Sequence, residues 1–206
     1  LVSRLDDLKA GRFFPELEST GAARVLAADA MDDGDYALAA PEVRSDVLAW
    51  CARILVHQDV ESSRSLLSAS EGIAPVSQQR LVKALIEAES DVAAALRTLI
   101  GLDTAEAATV RYLVLRRGAY DEAVNWLSEE ALTPSDLDKD GQFIVLLDAL
   151  NHFDWQLASN WLERIDCPTQ SEHPGLLWAA GLANYCIALP DYLREWAFNL
   201  RPTVID

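Results

Sequence analysis

The chain has 206 residues, half of them apolar, with 33 acidic and 17 basic side chains and a formal net charge of -16. This composition excludes a disordered tail, because it supplies enough apolar surface to build a sizeable core. The negative charge disfavours nucleic acids and acidic membranes as partners, since a phosphate backbone is bound by lysine and arginine that displace its counterions.

The sequence features that indicate cellular location predict a cytoplasmic protein. No apolar run approaches the roughly 20 residues of a membrane-spanning helix, and no basic-then-apolar leader opens the sequence. Three cysteines, Cys51, Cys167 and Cys186, form no CxxC pair, and an odd count without metal spacing favours a reducing compartment. The alanine-, arginine- and aspartate-heavy usage indicates a bacterial protein. Since the first residue is leucine, one interpretation is a piece of a longer polypeptide.

The predicted elements are helical along the whole chain. Residues 1–41 are expected to form an N-terminal helical cap, in which 32–41 fit either a short helix or a loop. From Glu42 to Leu200, apolar side chains recur with the 3.6-residue period of a helix, and no segment predicts a strand. Prolines separate the apolar segments, at places where a missing backbone amide does least harm: Pro41, Pro75, Pro134, Pro168, Pro174, Pro190 and Pro202.

A nine-residue pattern occurs four times, as DVESSRSLL from Asp59, DVAAALRTL from Asp91, AYDEAVNWL from Ala119 and DWQLASNWL from Asp154. The second residue is apolar or aromatic, the fifth is small and the ninth is leucine. A small side chain lets a neighbouring helix approach closely, and the leucine fills the space one turn further on. One such unit buries only part of its apolar face, so stacking of units is needed to close a core.

This pattern resembles the tetratricopeptide repeat, a helix-turn-helix of about 34 residues. The best match runs from Thr104 to Pro134, where Gly118, Tyr120, Ala123 and Leu127 stand at the family's turn glycine, aromatic, alanine and large apolar positions. The first helices depart from the family, which has a small residue nine places before the aromatic. This chain has Arg111, Lys83 and Leu146 there, and only Cys51 conforms. Another helical repeat or an irregular α fold is therefore the alternative.

The resemblance implies an all-α fold of antiparallel helical hairpins stacked as a right-handed α-solenoid. A single domain over residues 1–206 would comprise the cap at 1–41, four repeat-like hairpins at 42–166 and a C-terminal capping hairpin at 167–206. It also implies a protein-protein interaction module, a scaffold or adaptor that binds a protein segment in a concave groove of the first helices. The groove positions are Arg80, Glu87, Tyr112, Arg116, Phe143 and Asn151. Partner identity and oligomeric state are left open.

One segment suggests a cation site. DLDKDGQF, from Asp136 to Phe143, begins like a calcium loop, in which alternate carboxylates converge on one ion. Its twelfth place, where a bidentate glutamate belongs, is Leu147. The stretch is better interpreted as a linker in which Asp138 or Asp140 caps the next helix. Whether the three aspartates bind a cation is left open.

The remaining candidate residues predict no catalysis. His57 and His152 occupy equivalent places before a second helix, which indicates a role in the turn, and His173 lies beside Pro174 with no metal-ligand spacing. No nucleophile or phosphate-binding motif is present. We therefore expect no enzyme, no cofactor and no metal.

A ligand-sensing regulatory helical domain is the alternative function. A deep closed pocket lined by Tyr112, Phe143 and Trp178 would favour this alternative over an open groove. An enzyme on an α scaffold would need convergent polar groups in one cleft, which the sequence does not supply. The tryptophans are expected to fill a core, and any that are exposed are the best candidates for a partner surface: Trp126, Trp155, Trp161, Trp178 and Trp196.

Overall fold

The computed structural model describes residues 24, 27, 28, 41–56, 59–70, 76–166 and 173–199. Within these ranges all regular structure is helical, so the predicted all-α class is confirmed. The helices are α1 (Pro41–Leu55), α2 (Val60–Ser70), α3 (Val76–Glu87), α4 (Val92–Thr98), α5 (Ala105–Gly118), α6 (Tyr120–Glu129), α7 (Lys139–Asn151), α8 (Trp155–Leu162), α9 (Pro174–Ala188) and α10 (Asp191–Asn199), with a 3-10 turn at Pro134–Asp136.

Three of the four repeated segments begin at an aspartate that accepts a hydrogen bond from the helix it precedes. The carboxylate of Asp59 accepts from the backbone N–H of Ser62 at 3.0 Å, Asp91 from Ala94 at 2.9 Å and Asp154 from Leu157 at 3.0 Å. Such a cap satisfies one of the amides left open at a helix start. At these three sites the aspartate is therefore the N-terminal cap of its helix.

The cap at Asp59 is reinforced by further contacts. The Ser62 hydroxyl donates to the second carboxylate oxygen at 2.7 Å, and Arg24 lies 3.6 Å from that same oxygen. The hydrogen bond from the Ser62 hydroxyl, then that from its amide, and to a lesser degree Arg24 hold the pKa of the Asp59 carboxyl below its ordinary value. The carboxylate therefore keeps its charge to a lower pH than an aspartate without these partners.

The fifth side chain of every repeated segment is buried completely. Its exposed fraction is 0% at Ser63, Ala95, Ala123 and Ala158. At the first of these, the Ser63 hydroxyl donates to the backbone carbonyl of Ala52 on α1, at 2.7 Å. Because a larger side chain would push α2 away from that carbonyl, the small residue sets how closely the two helices approach.

The described chain divides into two compact units, and the first comprises residues 1–103 and 110–123. In it α1 packs against α2 and α3, and α3 packs against α2 and α4. Its core contains Cys51, and burial raises the pKa of this thiol to about 12. Cys51 is thus a small apolar core residue.

The second unit comprises residues 104–109 and 124–206. Here α7 packs against α8 and α9, α9 also packs against α8, and α10 packs against α9. The turn from α7 to α8 passes through Phe153, whose φ of 56° is left-handed. The Phe153 ring contacts Trp155 and Phe198, with ring centroids 5.9 and 5.8 Å apart. Aromatic packing therefore holds a backbone conformation that a residue with a side chain seldom adopts.

Several predictions about organisation concern parts of the chain that the structure leaves undescribed. The N-terminal cap at 1–41 lies almost wholly outside the described residues. His57 also lies outside them. In the C-terminal segment 167–206, α9 and α10 occupy the place of the capping hairpin. The single domain and the solenoid stacking remain predictions.

Ala95 provides a test of the buried small position, because Ala93 lies exposed on the same helix. We expect Ala95→Leu to lower the free energy of unfolding by about 1–3 kcal/mol, since extra methyl groups have no space in a packed core. Ala93→Leu, the matched control, should change it by less than about 0.5 kcal/mol. Urea denaturation measures both, and equal effects would contradict the assignment.

Candidate functional site

Two of the predicted groove residues bind the end of a neighbouring helix. The Arg80 guanidinium on α3 donates to the carbonyl oxygens of Thr98, at 2.9 Å, and Ile100. Glu87, two turns further along the same face of α3, accepts from the Thr98 hydroxyl at 2.6 Å. A cation at the carbonyl end of a helix satisfies open acceptors and opposes the helix dipole. Arg80 and Glu87 therefore hold α4 against α3.

Tyr112, a third predicted groove residue, is fully buried in the first unit. Its placement in an open groove is wrong, because a side chain without exposed surface cannot contact a partner. The prediction counted back from Tyr120 by the family's spacing, and on α5 this position falls among core residues such as Val110 and Val114. Arg116, four residues later, is exposed at the end of the same helix.

The other two predicted groove residues lie on α7 in the second unit. Asn151 is exposed in the last turn of the helix, and Phe143 is half-buried. The Phe143 ring lies against the imidazole of His173, with centroids 5.7 Å apart. Of the six positions, Arg116 and Asn151 are therefore the ones with exposed side chains.

The three aspartates of the calcium-like motif have separate partners. Asp136 accepts from the Thr133 amide and hydroxyl, each at 2.7 Å, and these bonds, the amide's first, hold the pKa of its carboxyl below its ordinary value. Asp138 caps α7 by accepting from the Gly141 amide at 2.8 Å. The capping interpretation is thus confirmed, with Asp138 as the cap.

Asp140 accepts from His173, a link that the sequence did not predict. The Nε2 atom of His173 lies 3.0 Å from Asp140 Oδ1, while its Nδ1 accepts from the Leu176 amide at 2.9 Å and so caps α9. Since Nδ1 is an acceptor, the ring proton resides on Nε2 and points at the carboxylate. One buried imidazole therefore fixes the start of α9 and joins it to α7.

No metal-binding cluster of three or more histidine, cysteine, aspartate or glutamate side chains occurs within the described ranges. His152 ends α7, and its Nδ1 donates to the carbonyl of Asp148 at 2.9 Å. The predicted turn role is confirmed for His152. His57 lies outside the described residues.

A cavity of about 380 Å³ that is open to solvent is present in the first unit. Its lining does not include Tyr112, Phe143 or Trp178, the residues expected to line the pocket of a ligand-sensing domain. The cavity is lined by Arg24, Ala27, Ala28, Leu55, Glu61, Ser62, Ser65 and Leu66.

Comparisons with known proteins give no relative: no family model, no curated protein and no solved structure matches this chain. The tetratricopeptide resemblance therefore remains a prediction. Among the described helices, none is long and apolar enough to cross a membrane.

Two glycines on helices of the second unit are expected to respond in opposite ways to alanine. A Cβ at Gly141 would collide with the Thr109 hydroxyl, whereas one at Gly181 would meet nothing within 4 Å. We expect Gly141→Ala to destabilise the protein by about 1–3 kcal/mol through overpacking. Gly181→Ala should stabilise it by about 0.5–1 kcal/mol, because alanine favours helix. Thermal and urea unfolding measure both changes, and a stabilising Gly141→Ala would refute the contact with Thr109.

Substitutions at His173 separate its two roles. His173→Ala removes the cap of α9 and the bond to Asp140, whereas His173→Asn keeps a side-chain oxygen that can accept from the Leu176 amide. We expect the asparagine variant to be about 1 kcal/mol more stable than the alanine variant, which is the usual contribution of a cap. Identical urea midpoints would argue against capping by His173.

Proposed function

We propose that this chain is a non-catalytic protein-interaction module, a tetratricopeptide-like scaffold or adaptor. In this proposal its antiparallel hairpins stack as a right-handed solenoid, and exposed side chains of the first helices bind a segment of a partner protein. The supporting observation is the complete burial of the fifth residue in all four repeated segments, although that residue is serine once and alanine three times. A shared close-contact position is what stacked repeats require.

The binding positions of this proposal are the predicted ones that retain exposed side chains. Arg116 serves in the first unit. Asn151 serves in the second unit, with the half-buried Phe143 earlier on the same helix. Arg80 and Glu87 contribute indirectly by holding α4. A mixed basic, amide and aromatic set suits a peptide, which offers carboxylates, backbone groups and apolar side chains together.

The same proposal includes a bacterial origin and a cytoplasmic location. Cys51 is a free buried thiol. This state supports a reducing compartment, in which thiols remain unpaired.

The proposal is tested by selecting ligands from a random peptide library displayed on phage, with the purified chain immobilised. We expect enriched peptides to bind the chain in solution and to bind Arg116→Glu about tenfold more weakly, because charge reversal replaces attraction by repulsion at a contact. Isothermal titration calorimetry gives the affinities.

Arg164→Glu is the matched control, because it makes the same change of charge at another exposed arginine. Arg164 follows α8, which is the second helix of its predicted hairpin and therefore lies outside the proposed binding surface. This variant should alter the affinity less than twofold. Urea midpoints of both variants establish that they are folded. Failure to enrich any peptide, or equal losses in the two variants, would count against binding through the first helices.

A further inference from the structure

The exposed face of α10 carries two parallel rows of side chains. Tyr192 and Trp196 are one helical turn apart, and their exposed fractions are 81% and 62%. Asp191 and Glu195, also one turn apart, are exposed beside them. Because residues four apart share a helix face, an aromatic row and an acidic row run side by side along this helix.

The opposite face of α10 fixes its orientation. Ala197 and Phe198 are buried, and the Phe198 ring meets Phe153 edge to face. Arg194 donates to the carbonyl oxygens of Leu189 at 3.0 Å and Ile187 at 3.1 Å, at the end of α9. Packing and hydrogen bonds therefore hold the two rows towards solvent.

Exposed large apolar side chains concentrate on this last hairpin. Among the described residues five such side chains are exposed, and four of them belong to α9 or α10. Ile100 lies elsewhere. Exposed tyrosine and tryptophan side chains are typical of contact surfaces, where their rings supply large area at a small entropic cost. The four are Leu177, Tyr185, Tyr192 and Trp196.

We infer that the exposed face of α10 binds a lysine- or arginine-rich amphipathic segment of another protein. Aromatic faces attract cations, and the adjacent carboxylates form ion pairs with the same groups. Arg194 pairs with Asp191 at 2.7 Å, which leaves Glu195 as the exposed carboxylate adjacent in sequence to Trp196. The apolar side of such a segment would cover the rings, while its basic side would meet the acidic row.

Charge selects this partner over the alternatives. A second copy of the chain would bring another net charge of -16, and its acidic row would repel this one. A nucleic acid would be repelled for the same reason. The inference is independent of the proposed function, because α10 carries none of the predicted groove positions.

A synthetic probe tests the inference with the whole chain. The probe is a fluorescein-labelled amphipathic 18-residue peptide of leucine and lysine, about five helical turns long, and its fluorescence anisotropy reports binding. We expect Tyr192→Ala combined with Trp196→Ala to weaken binding at least about tenfold, as the loss of central aromatic contacts usually does. Ile100→Ala, the matched control on another exposed apolar residue, should leave the affinity unchanged.

Charge is tested separately from the aromatic rings. Glu195→Lys should weaken the lysine peptide about threefold or more and strengthen a matched peptide in which every lysine is glutamate. Added salt should weaken the lysine peptide, because ions screen exposed charges. If circular dichroism shows that the double variant does not fold, Glu195→Lys alone tests whether this face binds the peptide.

Three results would overturn the inference. The first is equal binding of the lysine peptide to the double variant and to the unmodified chain. The second is binding of the glutamate peptide as strongly as the lysine peptide. The third is self-association in sedimentation velocity that disappears in the double variant, which would assign the face to a second copy. None of these bears on Arg116, so the two proposals fail separately.

Discussion

Close helix approach at a small, fully buried side chain is the constraint on which the described structure depends. At Ser63 the contact is direct, since its hydroxyl reaches the Ala52 carbonyl of the preceding helix. At Ala95 and Ala158 a methyl group fills the same place in the segment. Once two helices touch at this point, the neighbouring apolar positions become the core, and the charged side chains are confined to the remaining faces.

Local sequence signals predicted the helices well, because they act over one or two turns. The aspartate caps at Asp59, Asp91 and Asp154 and the buried fifth positions follow from short-range geometry. Burial of Tyr112 did not follow, since a helical period identifies a face without identifying the element that covers it. Long-range polar contacts were not predicted for a related reason. Nothing in the sequence indicates that His173 contacts Asp140, 33 residues earlier.

The three aspartates of the calcium-like motif have different structural roles. Alternate aspartates in sequence suggest convergence on a cation, yet Asp136, Asp138 and Asp140 bind a threonine, a helix start and a histidine. Carboxylates converge only when the backbone curves around a centre, whereas here a helix begins at Lys139 and carries successive side chains apart. The prediction that the motif caps a helix succeeded because capping needs a single carboxylate.

The short helix α4 has a consequence for local stability. It has seven residues, well below the roughly 12–15 at which an isolated helix becomes marginally stable in water. Asp91 holds its start and Arg80, from another helix, holds its end. Because so short a helix is not stable alone, the amide protons of α4 should exchange together when its packing against α3 is lost.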